Sequence, residues 1–370
     1  MSEAQSLYLY LGAFALSLSG VFCYSRTKKT VTKGKKILYW LWIAVPIIVI
    51  QGFRYEVGSD YRSYVGLYEG FSEGNSLFVS WYMNEPAFVY MCKILYTLTH
   101  GYVNAFFVAD ALIMNVLLFK TFDYYKEDVD MPLMYSFYYL MCFPYFLNLE
   151  RQGLAVIIIW YATKYVHEKK IWRFLACVLV ATMFHNTAIV GILLYFSNFI
   201  RGKYEKALRK IIIGACIIVP LLFEQLISFA ASYIAIFQKY TKFLGNGQEE
   251  RLNTNFIYML VMYGVIFLLY RFIKNAPVGN YWLATLALAQ LSTYLLNNYI
   301  EWGFRMSFYF EISLFYCYGY VYKKLQYRTN RILFWMFSVG MIGFYFVYKF
   351  YIQGNCDVFP YTFVWTVSDL

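Results

Sequence analysis

A few residues could do chemistry on an anionic substrate, and they lie far apart in the chain. "FRYEVGSDYRSY" (residues 53–64) carries Arg54, Asp60, Arg62 and Tyr64, and Glu85 stands just before Pro86. "NLERQGLAVIIIW" (148–160) holds Arg151 and Gln152, "FHNTAIV" (184–190) holds His185, and "EWGFRMSFYF" (301–310) holds Arg305. An arginine in the first turn of a helix opposes the helix dipole. With a phosphate or diphosphate present, the same arginine and the free N–H groups hold it together. Arg151 and Arg305 are therefore read as diphosphate ligands, with Arg54 and Arg62 assisting. A carboxylate or imidazole within hydrogen-bond reach of a hydroxyl can take its proton. Asp60 is the first choice for that base, with Glu85 and His185 behind it.

Each residue also has a plainer reading, and the sequence leaves both open. Arg151 could pair with Glu150 or Glu301 and fix helix packing. Asp60 could cap a short interfacial helix over residues 61–68, and Arg54 closes a helix C-terminus, where a cation is favoured anyway. His185 could be structural at a junction capped by Asn186 or Thr187, and Glu85 could be only a helix start. Asn148 reads as the N-cap of the helix that bears Arg151. Among the many aromatic residues, Tyr55, Tyr61, Tyr64, Tyr68, Trp81 and Tyr82 are the candidates for stacking on sugar rings.

The elements that must position these residues are membrane helices. The 370 residues are 61% hydrophobic and only 14% charged, more apolar surface than a soluble core can bury. Crossings are expected at 7–24, 37–53, 103–121, 132–147, 152–167, 171–185, 187–200, 211–230, 255–272, 281–298, 303–322 and 332–350, which makes twelve. The run 86–101 is short and carries Lys93, so it reads as re-entrant or interfacial. With that assignment, 22 of the 32 Lys and Arg residues fall on one side, in the linkers 26–36, 164–173, 201–210, 271–274 and 323–331 and at Lys126. By the positive-inside rule that side is cytoplasmic, and both termini lie outside. Arg54, Asp60, Arg62, Glu85, Arg151, His185, Glu301 and Arg305 then all come out on the external face. The outer segments are 54–102 and 231–254, and "QKYTKFLGNGQEERLNT" (238–254) could border an acceptor groove. The net charge of +11 is thus a topology signal and not a sign of nucleic acid. The seven cysteines are scattered singly, without metal-ligand or disulfide spacing.

In "FRYEVGSDYRSY", "NLERQGLAVIIIWYA", "FHNTAIV", "FRMSFYF" and "FPYTF" (359–363), the chain resembles the EpsG-like family of bacterial polysaccharide polymerases, of the Wzy type. The resemblance runs over nearly the whole chain in order, with a departure at Asn186, where a serine or lysine is expected. It implies an all-α, multi-pass glycosyltransferase of the GT-C kind in the bacterial cytoplasmic (inner) membrane. The substrates would be undecaprenyl-diphosphate-linked oligosaccharide repeat units, joined into capsule, exopolysaccharide or O-antigen, with a chain-length regulator as a possible partner. The positions that carry over are Arg54, Gly58, Asp60, Tyr64, Arg151, Gln152, His185 and Arg305. The lipid diphosphate is itself the activated donor, so no cofactor is expected, and no carboxylate cluster calls for a metal. Two other classes compete. A flippase for the same lipids would favour internal repeats and charges near the midplane, and neither is evident. A membrane acyltransferase or ligase would rest on a buried histidine and leave the arginines unexplained.

Overall fold

The computed structural model describes residues 1–27, 31–72, 84–196, 221–234, 254–269 and 303–367, with a few positions between 207 and 244 besides. The described residues form helices and no β-strand. Helix α1 (Glu3–Ser25) opens with a reciprocal cap, in which the Gln5 N–H donates to Ser2 Oγ and the Ser2 N–H to Gln5 Oε1. Its 23 residues reach about 35 Å, enough to cross a bilayer. α2 (Lys33–Gly52) runs back beside it, and α5 (Asn104–Tyr125) follows after two shorter helices, α3 (Tyr61–Ser72) and α4 (Pro86–Thr99). α1, α2, α5 and the C-terminal helix (Arg328–Ile352) are the four long, apolar helices able to span a membrane among the described residues.

The interior is built from helices that are apolar all round, the pattern of a buried helix. α6 (Met131–Phe137) continues through a π turn, Tyr138–Cys142, into Phe143–Phe146, and each of these residues is buried. α7 (Glu150–His167) lies next to it, and Trp160 Nε1 donates to the Phe308 carbonyl at 2.9 Å. α8 (Ile171–Phe184) packs back on α7. Near the C-terminus a 3₁₀ helix (Gly303–Phe310) leads into the buried helix Glu311–Lys324. There Gly319 touches the 129–130 backbone so closely that a Cβ would sit 3.0 Å from the Asp130 carbonyl.

Several expected crossings take a different form. The run 187–200 begins as a 3₁₀ helix, Asn186–Ile192, and continues as the short helix Leu193–Phe196. α8 has 14 residues, about 21 Å, and is shorter than the hydrocarbon core. The crossing expected at 303–322 starts in 3₁₀ geometry, so Arg305 does not lie in the first turn of an α-helix. Of the run 211–230, Phe223–Tyr233 is described as helix, and 255–272 appears as Thr254–Leu268. The crossing at 281–298, the linker 271–274, Glu301, Trp81, Tyr82 and most of the 238–254 loop lie outside the described residues.

Of the run 86–101, Pro86–Thr99 is the helix α4, and both of its ends stay at one end of the bundle. Glu85 meets Arg151 and His185 there. Beyond the other end, Asn104 Nδ2 donates to the carbonyls of Gly52 and Arg54, where α2 finishes. α4 therefore does not run the length of the bundle, and with α3 it makes a helical pair against α5 and α8. Met1 and the tail residue Tyr361 lie at this same end, the Met1 ammonium bonding the Tyr361 carbonyl. At the far end, Lys36 pairs with Asp123, Lys126 binds Thr27, and Lys323 binds the carbonyls of Lys126 and Glu127.

Candidate functional site

Five chain segments bring acids, arginines and a histidine together at the end of the bundle that holds Met1 and Tyr361. Arg151 enters from the first turn of α7 and pairs with Glu85 Oε2. Glu85 Oε1 faces His185 Nδ1 at 3.0 Å and accepts the Asn186 N–H at 3.2 Å. Glu85 is thus held by a guanidinium, an imidazole and a backbone amide. Burial works against its ionisation, yet the His185 hydrogen bond and the Arg151 charge hold its carboxyl below the usual glutamate range. Burial lowers the His185 imidazole below its usual value, and the charges of Arg151 and Arg305 add to that against the pull of Glu85. An ionised Glu85 beside a neutral His185 assigns the tautomer: Nδ1–H donates to the carboxylate, and Nε2 keeps its lone pair.

Asp60 stands across from this pair, in the field of Arg305 and Arg151. Its backbone N–H donates to Asn148 Oδ1 at 2.7 Å, and Ser59 Oγ donates to the same oxygen at 3.0 Å. Gly58 makes the turn possible, with φ of +99° and the Leu147 carbonyl 3.1 Å from where a Cβ would be. Burial raises the Asp60 carboxyl above the usual aspartate value, and Arg305 and Arg151 pull it back in part. Among the described residues its carboxylate has neither a hydrogen bond nor an ion pair, in contrast to Glu85. Asn148, expected to cap α7, therefore does not do so, because its side-chain oxygen is taken by the Ser59–Asp60 turn. Leu149 occupies the cap position.

Of the expected ligands, Asp60, Glu85, Arg151, His185 and Arg305 converge, and four others do not line the site directly. Arg54 is 0% exposed: Nη1 donates to the Gln51 carbonyl, Nη2 pairs with Glu150, and its guanidinium carbon lies 4.3 Å from the Phe107 ring centre. It ties α2 to α7 behind the site and cannot extend a diphosphate clamp. Arg62 is 82% exposed and paired with Glu56 on the surface. Tyr64 is buried between Phe88 and Phe106, its hydroxyl directed at the Arg151 backbone N–H, so its ring has no face for a sugar. Gln152 Nε2 donates to the Arg305 carbonyl at 3.0 Å and holds that arginine's backbone.

The sequence reading missed Gln51 and Asp110. Gln51 Nε2 bridges Asp110 Oδ2 at 3.1 Å and Glu150 Oε2 at 2.9 Å, so two buried carboxylates share one amide, and Glu150 alone takes the Arg54 guanidinium. The signal was available: an acid within the apolar run "FFVADALIM" needs a polar partner inside the bundle. Tyr309, whose hydroxyl meets Thr187 Oγ1 at 2.9 Å under the site, had no such signal.

Neither a curated protein nor a solved structure matches this chain. A family model described as the EpsG family matches residues 37–363. That span runs from α2 to the tail and includes every residue of the cluster, and on this match the chain belongs to the EpsG family.

Proposed function

We propose that this chain is a polysaccharide polymerase that joins lipid-linked oligosaccharide repeat units at the outer face of the bacterial cytoplasmic membrane. The observation that carries the reading is the placement of Arg151 and Arg305 around Asp60 and the Glu85–His185 pair at one end of a membrane bundle. The donor would be an undecaprenyl-diphosphate oligosaccharide. An acceptor hydroxyl attacks the anomeric carbon, a new C–O bond forms, and the bond to the diphosphate oxygen breaks. Negative charge develops on the departing diphosphate, where Arg151 and Arg305 stabilise it. The hydroxyl proton goes to Asp60, the acid of the cluster whose carboxylate is uncommitted, while Glu85 is held by three partners. His185 Nε2 is the second reading for the base, favoured by the Glu85 contact at Nδ1.

The finer topology is part of this proposal: about twelve crossings of the GT-C kind, both termini outside, and the lysine-rich end in the cytoplasm. The separation of Lys36, Lys126 and Lys323 from the acid–arginine cluster supports that orientation. A chain-length regulator and the surrounding lipid are the partners this reading expects.

The test is reconstitution of the purified protein with lipid-linked repeat units, following a ladder of longer glycans and release of lipid diphosphate. Arg151→Ala and Arg305→Ala should each cut turnover roughly 10²- to 10³-fold in protein that still elutes as a folded species. Normal ladders from both variants would sink the diphosphate clamp.

A further inference from the structure

The tail beyond the last helix is not used by the chemistry above, yet it is bound into the loop that carries Asp60. After Gln353 the chain crosses the site end of the bundle as a strap. The N–H groups of Gly58 and Ser59 donate to the carbonyls of Asp357 (3.0 Å) and Cys356 (3.1 Å). Further along, the Tyr55 N–H donates to the Thr362 carbonyl and the Val364 N–H to that of Phe53, and Arg54 and Phe363 form an isolated bridge. The strap is itself anchored. The Tyr361 N–H donates to Ser6 Oγ, the Tyr361 hydroxyl to the Ile50 carbonyl at 2.7 Å, and the Tyr10 hydroxyl to the Val358 carbonyl, with Tyr361 and Val358 both fully buried.

Two non-glycine residues at the strap's turn, Cys356 (φ 68°) and Asp357 (φ 48°), sit in the left-handed region, which costs energy unless surrounding contacts enforce it. The carbonyls of these same two residues receive the Gly58 and Ser59 amides. Cys356 is also within electrostatic reach of Arg305 and Asp60. The Ser59–Asp60 turn is therefore gripped from two directions, by Asn148 on α7's side and by the strap on the other.

We propose that the C-terminal strap, residues 354–363, is a positioning element of the site: its Cys356–Asp357 turn holds the Gly58–Ser59 backbone and so fixes where the Asp60 carboxylate stands. The inference rests on the polymerase reading. It concerns the backbone of the turn and asks no chemistry of the thiol.

Cys356→Val places a β-branched side chain where φ is positive, which that residue type tolerates worst. Cys356→Gly removes the conflict. Two measurements are made on the full-length protein in lipid. Hydrogen exchange reads the Gly58 and Ser59 amides with no reference to turnover, and polymerisation gives kcat, donor KM and the pH profile. The expected result is protected amides in the wild type and fast exchange in Cys356→Val. In that variant kcat should fall roughly tenfold or more, because a base displaced by a fraction of an ångström loses its geometry. Donor KM should stay within about twofold, since Arg151 and Arg305 are untouched, and the acid limb of kcat should move toward that of an ordinary aspartate. Cys356→Gly should restore both protection and turnover. A merely structural strap would lower the yield of folded protein and leave kcat per folded molecule and the acid limb in place. Freely exchanging amides in the wild type, or a Cys356→Val protein with fast exchange and wild-type kcat, would overturn the proposal. Protected amides in a wild type that makes no ladder would refute the polymerase reading and uphold the strap contact.

Discussion

Replacing Arg54 by methionine asks whether this guanidinium belongs to the interior or to the site. Its side chain is wholly buried, Nη1 is bound to the Gln51 carbonyl at the end of α2, and Nη2 is bound to Glu150. Removing it leaves Glu150 without its cation, one glutamine amide away from Asp110, where water does not reach. Breaking one side of such a pair costs about 3–5 kcal/mol, because the remaining charge stays desolvated. Arg54→Met and Glu150→Leu should each lose about that much. The double variant removes both charges and their desolvation together, and it should recover most of the loss. The assay heats the four proteins in detergent, measures the fraction that still elutes as a monodisperse species, and then measures turnover per folded molecule. An Arg54→Met protein as stable as the wild type but inactive would place the guanidinium in the site after all. Losses that simply add in the double variant would refute the pairing.

Two other outcomes follow from the same geometry. A carboxylate base works ionised, so turnover should be present above the Asp60 pKa and vanish as pH falls through it. Burial raises that pKa, and the acid limb should stand above the aspartate value of about 3.9; Asp60→Asn should be inactive at every pH, and retained activity with an unmoved limb would transfer the role to His185. Arg62→Ala should change turnover less than about twofold, because an ion pair this exposed contributes little; a large loss would show that Arg62 leaves Glu56 to meet the substrate.

Much of the site was legible from where charge falls relative to apolar runs. The lysine-rich linkers put Asp60, Glu85, Arg151, His185 and Arg305 on one face, and these five do gather there. Reading 86–101 as something other than a crossing was decisive, since an extra crossing would have sent Arg151 to the opposite end from Asp60. The helical class followed from composition. Local geometry was less accessible: the 3₁₀ start at Gly303 and the π turn at Tyr138–Cys142 carry no periodicity that sets them apart from α-helix. The role of the tail was hidden because its bonds to the Asp60 loop are between backbone groups, which any sequence possesses.

The division of the arginines shows where reading a sequence stops short. Arg54 and Arg151 both sit at helix ends beside an apolar run, and Glu150 next to Arg151 invites the pairing of neighbours. Adjacent residues on a helix do not face each other, so Glu150 and Arg151 must look in different directions from the first turn of α7. Glu150 turns inward and takes Arg54 from α2, whereas Arg151 turns toward Glu85 and the site. One acid thus holds an arginine in the interior while another holds its neighbour at the surface of the bundle. The spacing of helical side chains alone excludes the local pair, but only the tertiary placement of Arg54 at the end of α2 and of Glu85 at the start of α4 decides which distant partner each residue takes. That placement leaves Arg54 locked in the interior and Arg151 at the Glu85–His185 cluster.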